Sequence, residues 1–191
     1  MLKNIKYNSF LSAVLLCLLS VDAPNAQSAS SQSTVAILDF EGRGINSLEA
    51  ATLTDRFTSE VGKTGAVRLV DRTMVKEILI EQGFQQSGCT SDECAVEVGA
   101  MLGVQFMISG AIGKLGDTFT IDAKLVSVES GASVETRNVT YIGKVDGLVT
   151  EIELLAWDIM NIDPPDALKE KKRLGAQAFL EASAAQKTRM G

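Results

Sequence analysis

From Val104 to Ile142 the chain holds strand periodicity with only two interruptions, and no other stretch limits the possible folds so strongly. The runs VQFMISGAIGKL, TFTIDAKLVSV and ASVETRNVTYI are separated by Gly116-Asp117 and by Glu129-Ser130-Gly131. Three such runs joined by short glycine-containing turns form an antiparallel meander. In the middle run Phe119, Ile121, Ala123, Leu125 and Ser127 alternate with Thr120, Asp122, Lys124 and Val126. That alternation predicts one covered face and one wetter face.

Upstream, strand and helix signals alternate. Thr34 to Phe40 is a β-branched apolar run that stops at Gly42 and Gly44, which predicts a buried strand. Ser47 to Lys63 follows with Leu48, Ala51, Phe57 and Val61 near helical spacing and Glu49 in the first turn. Ala66 to Val70 reads as a second short strand. Asp71 can cap a helix through Gln82 that carries Met74, Val75, Ile78 and Leu79. Cys89 to Leu102 reads as a further helix, capped by Thr90 or Ser91, with Ala95, Val98, Met101 and Leu102 inward and Gly103 as its stop. After the meander, Val145 to Met160 is a last amphipathic helix, ended by Pro164-Pro165. The expected fold is α/β, a mixed five-stranded sheet in the order β-α-β-α-α-β-β-β-α, spanning residues 34–162. Residues 163–191, rich in Ala, Lys and Glu, are expected to be a helical or disordered tail.

The first residues read as an address. Lys3 and Lys6 precede a twelve-residue apolar run, Phe10 to Val21, and small polar residues follow, the order of a secretory signal peptide over residues 1–28 with a polar leader at 29–33. The run is shorter than the roughly twenty apolar residues that a membrane-spanning helix needs. Cys17 lies inside it, preceded by Leu16 rather than by a small residue, so lipidation there is the weaker expectation. The expected product is an acidic, exported, periplasmic domain with two cysteines.

Composition matters mainly for what it removes. With no histidine among 191 residues, His-based catalytic relays and His-containing zinc sites are excluded. A net charge of −6 argues against a nucleic-acid partner. Cys89 and Cys94 stand five apart at a helix entrance in an exported chain, which favours a structural disulfide. A redox couple is the alternative, with the Cys94 thiol activated by the helix N-terminus, although the two-residue spacing of thioredoxin-type motifs is absent. Gly42-Arg43-Gly44 lacks the third glycine of a dinucleotide loop and reads as a tight turn. Asp39 and Asp71 could meet as a carboxylate pair, but Asp39 has no evident basic companion in sequence. Gly99 and Gly103 have the spacing of a membrane-helix contact in a segment too amphipathic for one. No catalytic, cofactor or metal residue is assigned.

The strand ending LDFEG, the segment VRLVDRTMVKEILIEQGFQQSGC and the block TSDECAVEVGAMLGVQFMISGAIGKLGDTFTIDAKLVSVESG resemble, in that order, the CsgG-type family of bacterial envelope proteins. That family includes the curli secretion channel and a lipoprotein activator of penicillin-binding proteins. The resemblance implies a domain similar to anticodon-binding and TolB N-terminal domains, working in envelope assembly without catalysis of its own. The short turns leave no room for the channel's long membrane hairpins, which points to a soluble member. The expected function is a non-catalytic periplasmic interaction domain that binds an envelope protein or a second copy of itself, with possible outer-membrane association. The alternatives are a thiol-disulfide protein using Cys89 and Cys94, and a small-ligand-binding protein with a pocket beside Asp39 and Arg43.

Overall fold

The computed structural model describes residues 32–83 and 91–190; the segment expected to be a signal peptide, most of the expected polar leader and Cys89 lie outside them. The meander is present as predicted: β4 (Phe106–Leu115), β5 (Thr118–Ser127) and β6 (Ser133–Ile142) pair antiparallel in sequence order. Ahead of it come β1 (Thr34–Ile37), β2 (Glu41–Arg43) and β3 (Arg68–Leu69). The sheet runs β3-β1-β4-β5-β6, with β2 also paired to β4, and the pairings β1–β3, β1–β4 and β2–β4 are parallel. The sheet is mixed as expected, but it has six strands rather than five.

The sixth strand arises from a kink. Ile37 lies opposite Ile108 and Glu41 opposite Ala111, so four steps on the first chain face three on β4. The surplus residue breaks the predicted Thr34 to Phe40 strand at Leu38 and restarts it as β2. Phe40 is swung into the core, and its N–H is taken by the buried Thr54 hydroxyl at 3.0 Å. The second predicted strand is also shorter, confined to Arg68 and Leu69.

Five helices are described: α1 (Ser47–Thr64), α2 (Arg72–Glu81), α3 (Asp92–Leu102), α4 (Val145–Ile159) and α5 (Asp166–Met190). Asn46 starts α1 with a capping box, accepting from the Glu49 N–H at 2.8 Å while the Glu49 carboxylate accepts from its own N–H at 3.1 Å. Asp71 and Ser91 cap α2 and α3, accepting from the N–H groups of Thr73 and Cys94. Gly103 ends α3 in the left-handed region at φ 64°, where a side chain would be strained.

The two sheet faces are covered unequally. On one, Phe57 and Val61 of α1 and Leu148, Ile152 and Leu155 of α4 pack on Val35, Ile37, Ile108, Ile112, Phe119 and Ile121. On the other, Val75 and Leu79 of α2 and Ala95 and Val98 of α3 pack on Ala36, Leu38 and Met107. Met101, read from sequence as inward, is exposed, as are Leu48 and Met74 of the other apolar helical patterns, since each helix buries a narrower stripe than its apolar residues suggest.

The C-terminal stretch is a helix whose early turns dock on α4 through charge. Lys171 donates to Glu153 at 2.7 Å and Lys172 to Glu151 at 2.9 Å, and both glutamates are buried. Arg56 of α1 donates to Glu153 from the other side. Burial pushes the Glu153 carboxyl up, but the hydrogen bonds from Lys171 and Arg56 outweigh it and hold the group below the ordinary glutamate value of 4.5. A lowered folded value stabilises fully above about pH 4.5, and that contribution is lost as pH falls through the folded value. Amide exchange in the first turns of α5 is therefore expected to stay slow from neutral pH down to that range and then to accelerate before global unfolding. Protection that is independent of pH would contradict this latch.

Candidate partner-binding face

The uneven cover leaves part of one face bare. α2 and α3 lie over the β3-β1 side and the start of β4, and beyond them the sheet is open across β2, β4, β5 and β6. The register brings small residues to this area from β4: Ser109, Ala111 and Gly113, whose core-facing neighbours are Ile108, Gly110 and Ile112. Larger charged groups flank that floor. Glu41 and Arg43 stand opposite Ala111 and Gly113 on one side, and Asp122 and Lys124 stand opposite Ala111 and Ser109 on the other. The result is a trough of about 310 Å³ lined by Glu41, Arg43, Ser109, Asp122, Lys124 and Thr136, among others.

Its rims are organised as exposed ion pairs. Arg43 donates to Glu41 at 2.6 Å, and that hydrogen bond holds the Glu41 carboxyl below its ordinary range. Lys124 reaches both carboxylate oxygens of Asp92, at the start of α3, at 3.2 and 3.3 Å. Exposed pairs of this kind contribute little to stability, roughly 0–1 kcal/mol each. They are free to exchange partners with an arriving surface, and cations and anions alternate around the rim. This suits docking of another polar surface better than capture of a small ligand.

Of the residues singled out in the sequence, Arg43 lies on the trough rim and the others fall elsewhere. Asp39 and Asp71 do not form a carboxylate pair. Asp39 does have a basic companion, Arg72, which is largely buried between Asp39 and Asp55 of α1 and ties the end of β1 to α1 and α2. Asp71 is spent on the α2 cap. Gly42-Arg43-Gly44 is not simply a turn, because Gly42 and Arg43 belong to β2. β2 occupies the sheet beside β4 and runs parallel to it. Arg43 faces the trough, whose lining does not include Asp39. Gly99 is a packing residue: a Cβ there would lie 2.5 Å from Val128 and 2.7 Å from Met107. Cys94 sits in the first turn of α3, partly buried against the second core cluster. Among the described residues no cluster of His, Cys, Asp and Glu could hold a metal, and no helix is long and apolar enough to cross a membrane.

Residues 20–135 match the family described as peptidoglycan-synthase activator LpoB. The chain belongs to the LpoB family of peptidoglycan-synthase activators. The match runs through the trough strands β2, β4 and β5 and into β6. Of the two relatives implied by the resemblance in sequence, the activator stands and the channel does not, so the CsgG-type assignment is corrected to the LpoB family. A lipoprotein of Neisseria meningitidis, GNA1162, shares the fold at a TM-score of 0.51 and 11% identity, covering 80% of this chain and 96% of that one. The LpoB C-terminal domain from Salmonella enterica aligns at 13% identity and a TM-score of 0.49, covering 70% of this chain and 93% of its own. The Escherichia coli LpoB C-terminal domain aligns at 13% identity and 0.48, covering 61% and 87%. None of the curated proteins compared matches the chain. Membership makes this a non-catalytic, cell-envelope interaction domain whose partner is another envelope protein, an enzyme of cell-wall synthesis.

Sequence reasoning reached half of this face. The wetter row containing Asp122 and Lys124 is legible from alternation, whereas the trough floor was not singled out. Its signal is the alternation of Ile108, Gly110 and Ile112 with Ser109, Ala111 and Gly113, which marks a strand face too small-chained to be packed under a helix.

Proposed function

We propose that the chain stimulates a peptidoglycan synthase from the periplasmic side by seating it on the bare face of β2, β4, β5 and β6. The observation that carries this reading is the trough itself, a concave, charge-rimmed area on an otherwise helix-covered sheet. Reversing both rim cations, Arg43→Glu with Lys124→Glu, is expected to weaken stimulation of a purified synthase roughly tenfold. The fold should survive, because both side chains are exposed. Unchanged stimulation by the folded variant would exclude this face.

The Cys89/Cys94 disulfide and export on residues 1–28 belong to the same proposal. What supports the disulfide is the place of Cys94, five residues after Cys89, at the helix start, where its N–H donates to the Ser91 hydroxyl, in a chain read as exported. Its role is structural, and replacing both cysteines by serine is expected to cost roughly 2 kcal/mol in the chain-entropy view while leaving synthase stimulation intact. Intact mass of protein recovered from the envelope reads the pairing and the processing together. The expected species begins near Ala29 and is two hydrogens lighter than the dithiol. A chain beginning at an acylated Cys17 would instead make it a lipoprotein, as the Neisseria protein is by its description.

A further inference from the structure

One hydroxyl in the trough stands without a partner. Ser109 is 5% exposed, yet among the described residues its side chain makes no hydrogen bond. Buried polar groups are nearly always paired, so an open one marks a place where something else completes the bond. Ser109 lies two residues beyond Met107 on the same face of β4, where the cover of α3 stops and the trough begins. Its hydroxyl therefore opens on the trough.

The neighbours of Ser109 across the sheet can donate as well. Ser109 stands directly opposite Lys124 on β5, and Lys124 directly opposite Thr136 on β6. Side chains paired in this way share a face, with Cβ atoms about 5 Å apart. The next row is of the other kind: Glu41 and Asp122 flank Ala111. The trough thus carries a row of donors beside a row of acceptors. Lys124, 46% exposed, is held by Asp92 at 3.2 Å, an exposed pair that an arriving carboxylate can replace at little cost. Asp92 satisfies the ammonium and leaves the Ser109 hydroxyl open.

We propose that Ser109 and Lys124 form a cradle for a carboxylate of the synthase, an aspartate or glutamate side chain that accepts from the hydroxyl and the ammonium together and displaces Asp92. This rests on the seating of the synthase on the open face. Because Glu41 and Asp122 repel a second anion one row away, the synthase also presents a cationic side chain over Ala111. A surface carrying the two charges in the opposite order is rejected at both rows.

Ser109→Ala in the mature protein separates this role from a structural one. The free variant loses no hydrogen bond, so its thermal stability is expected to equal or exceed that of wild type. Its affinity for the purified synthase should fall at least about tenfold, as for loss of a hydrogen bond to a charged group. Carbodiimide coupling, which joins an amine to a carboxylate in contact with it, reads the exchange of partners. In the free protein the expected product links Lys124 to Asp92. With the synthase bound, Lys124 should be linked to an aspartate or glutamate of the synthase instead. Wild-type affinity of Ser109→Ala, or Lys124 coupled to Asp92 alone in the complex, would overturn the proposal. If either is found while reversal of Arg43 and Lys124 still weakens stimulation, the cradle fails and the seating on this face stands. Stimulation that survives the reversal removes both.

Discussion

Replacing Phe57 by alanine is expected to lower the unfolding free energy by about 3–5 kcal/mol, with the denaturant slope unchanged. Phe57 is fully buried, and its ring centroid lies 5.0 Å from that of Phe40 at a tilted angle. The ring fills the space between α1 and the kinked strand that delivers β2. Phe40 is held there by the kink and by Thr54, so it cannot readily collapse into the void, which puts the cost toward the upper part of that range. Because the kink also places Glu41 and Arg43 on the trough rim, the variant should lose synthase stimulation at temperatures where it is still folded. Urea titration followed by tryptophan fluorescence would check the stability, and a loss below about 1 kcal/mol would contradict this packing.

Gly110→Ala is expected to be nearly as damaging, at about 3 kcal/mol, for the opposite reason. A Cβ at position 110 would come within 2.5 Å of the Asp122 carbonyl oxygen and 3.0 Å of the Phe40 ring. The first neighbour is backbone of the paired strand, which cannot rotate out of the way as a side chain can. Relief requires moving β5 away from β4 or expelling Phe40 from the core. Either movement widens the trough at Asp122, so destabilisation and loss of partner binding should appear together. Gly65→Ala provides the control: its Cβ would meet nothing within 4 Å, and its left-handed φ of 65° leaves only backbone strain, costing about 1 kcal/mol. Equal thermal shifts for the two variants would show that crowding at Gly110 is absent.

These residues also show how far the chain can be read without its structure. Element order was legible because the apolar period changes from helical to alternating at Gly103, and because Asp71, Ser91 and Gly103 mark boundaries through local chemistry alone. β2 was not legible. Glu41-Gly42-Arg43 has no strand propensity of its own, and it is extended only because β4 offers Ala111 to Gly113 as partners. The companion of Asp39 was missed because Arg72 is brought to it by the crossover through α1 and β3, not by proximity in sequence. Glu151 and Glu153 look like the solvated side of an amphipathic helix until Lys171 and Lys172 arrive from a segment that reads as a loose tail. For the site, the charged rim on β5 follows from alternation, but the opposite rim depends on the kink. No local pattern announces it.

The partner is expected on the open sheet face rather than on the helices covering the remainder of that side. Photo-cross-linking in intact cells tests this most directly, with a photoreactive residue replacing Asp122 in one strain and the exposed Met74 of α2 in another. Position 122 is expected to capture a peptidoglycan synthase and position 74 is not. Capture from position 74 with none from position 122 would contradict it.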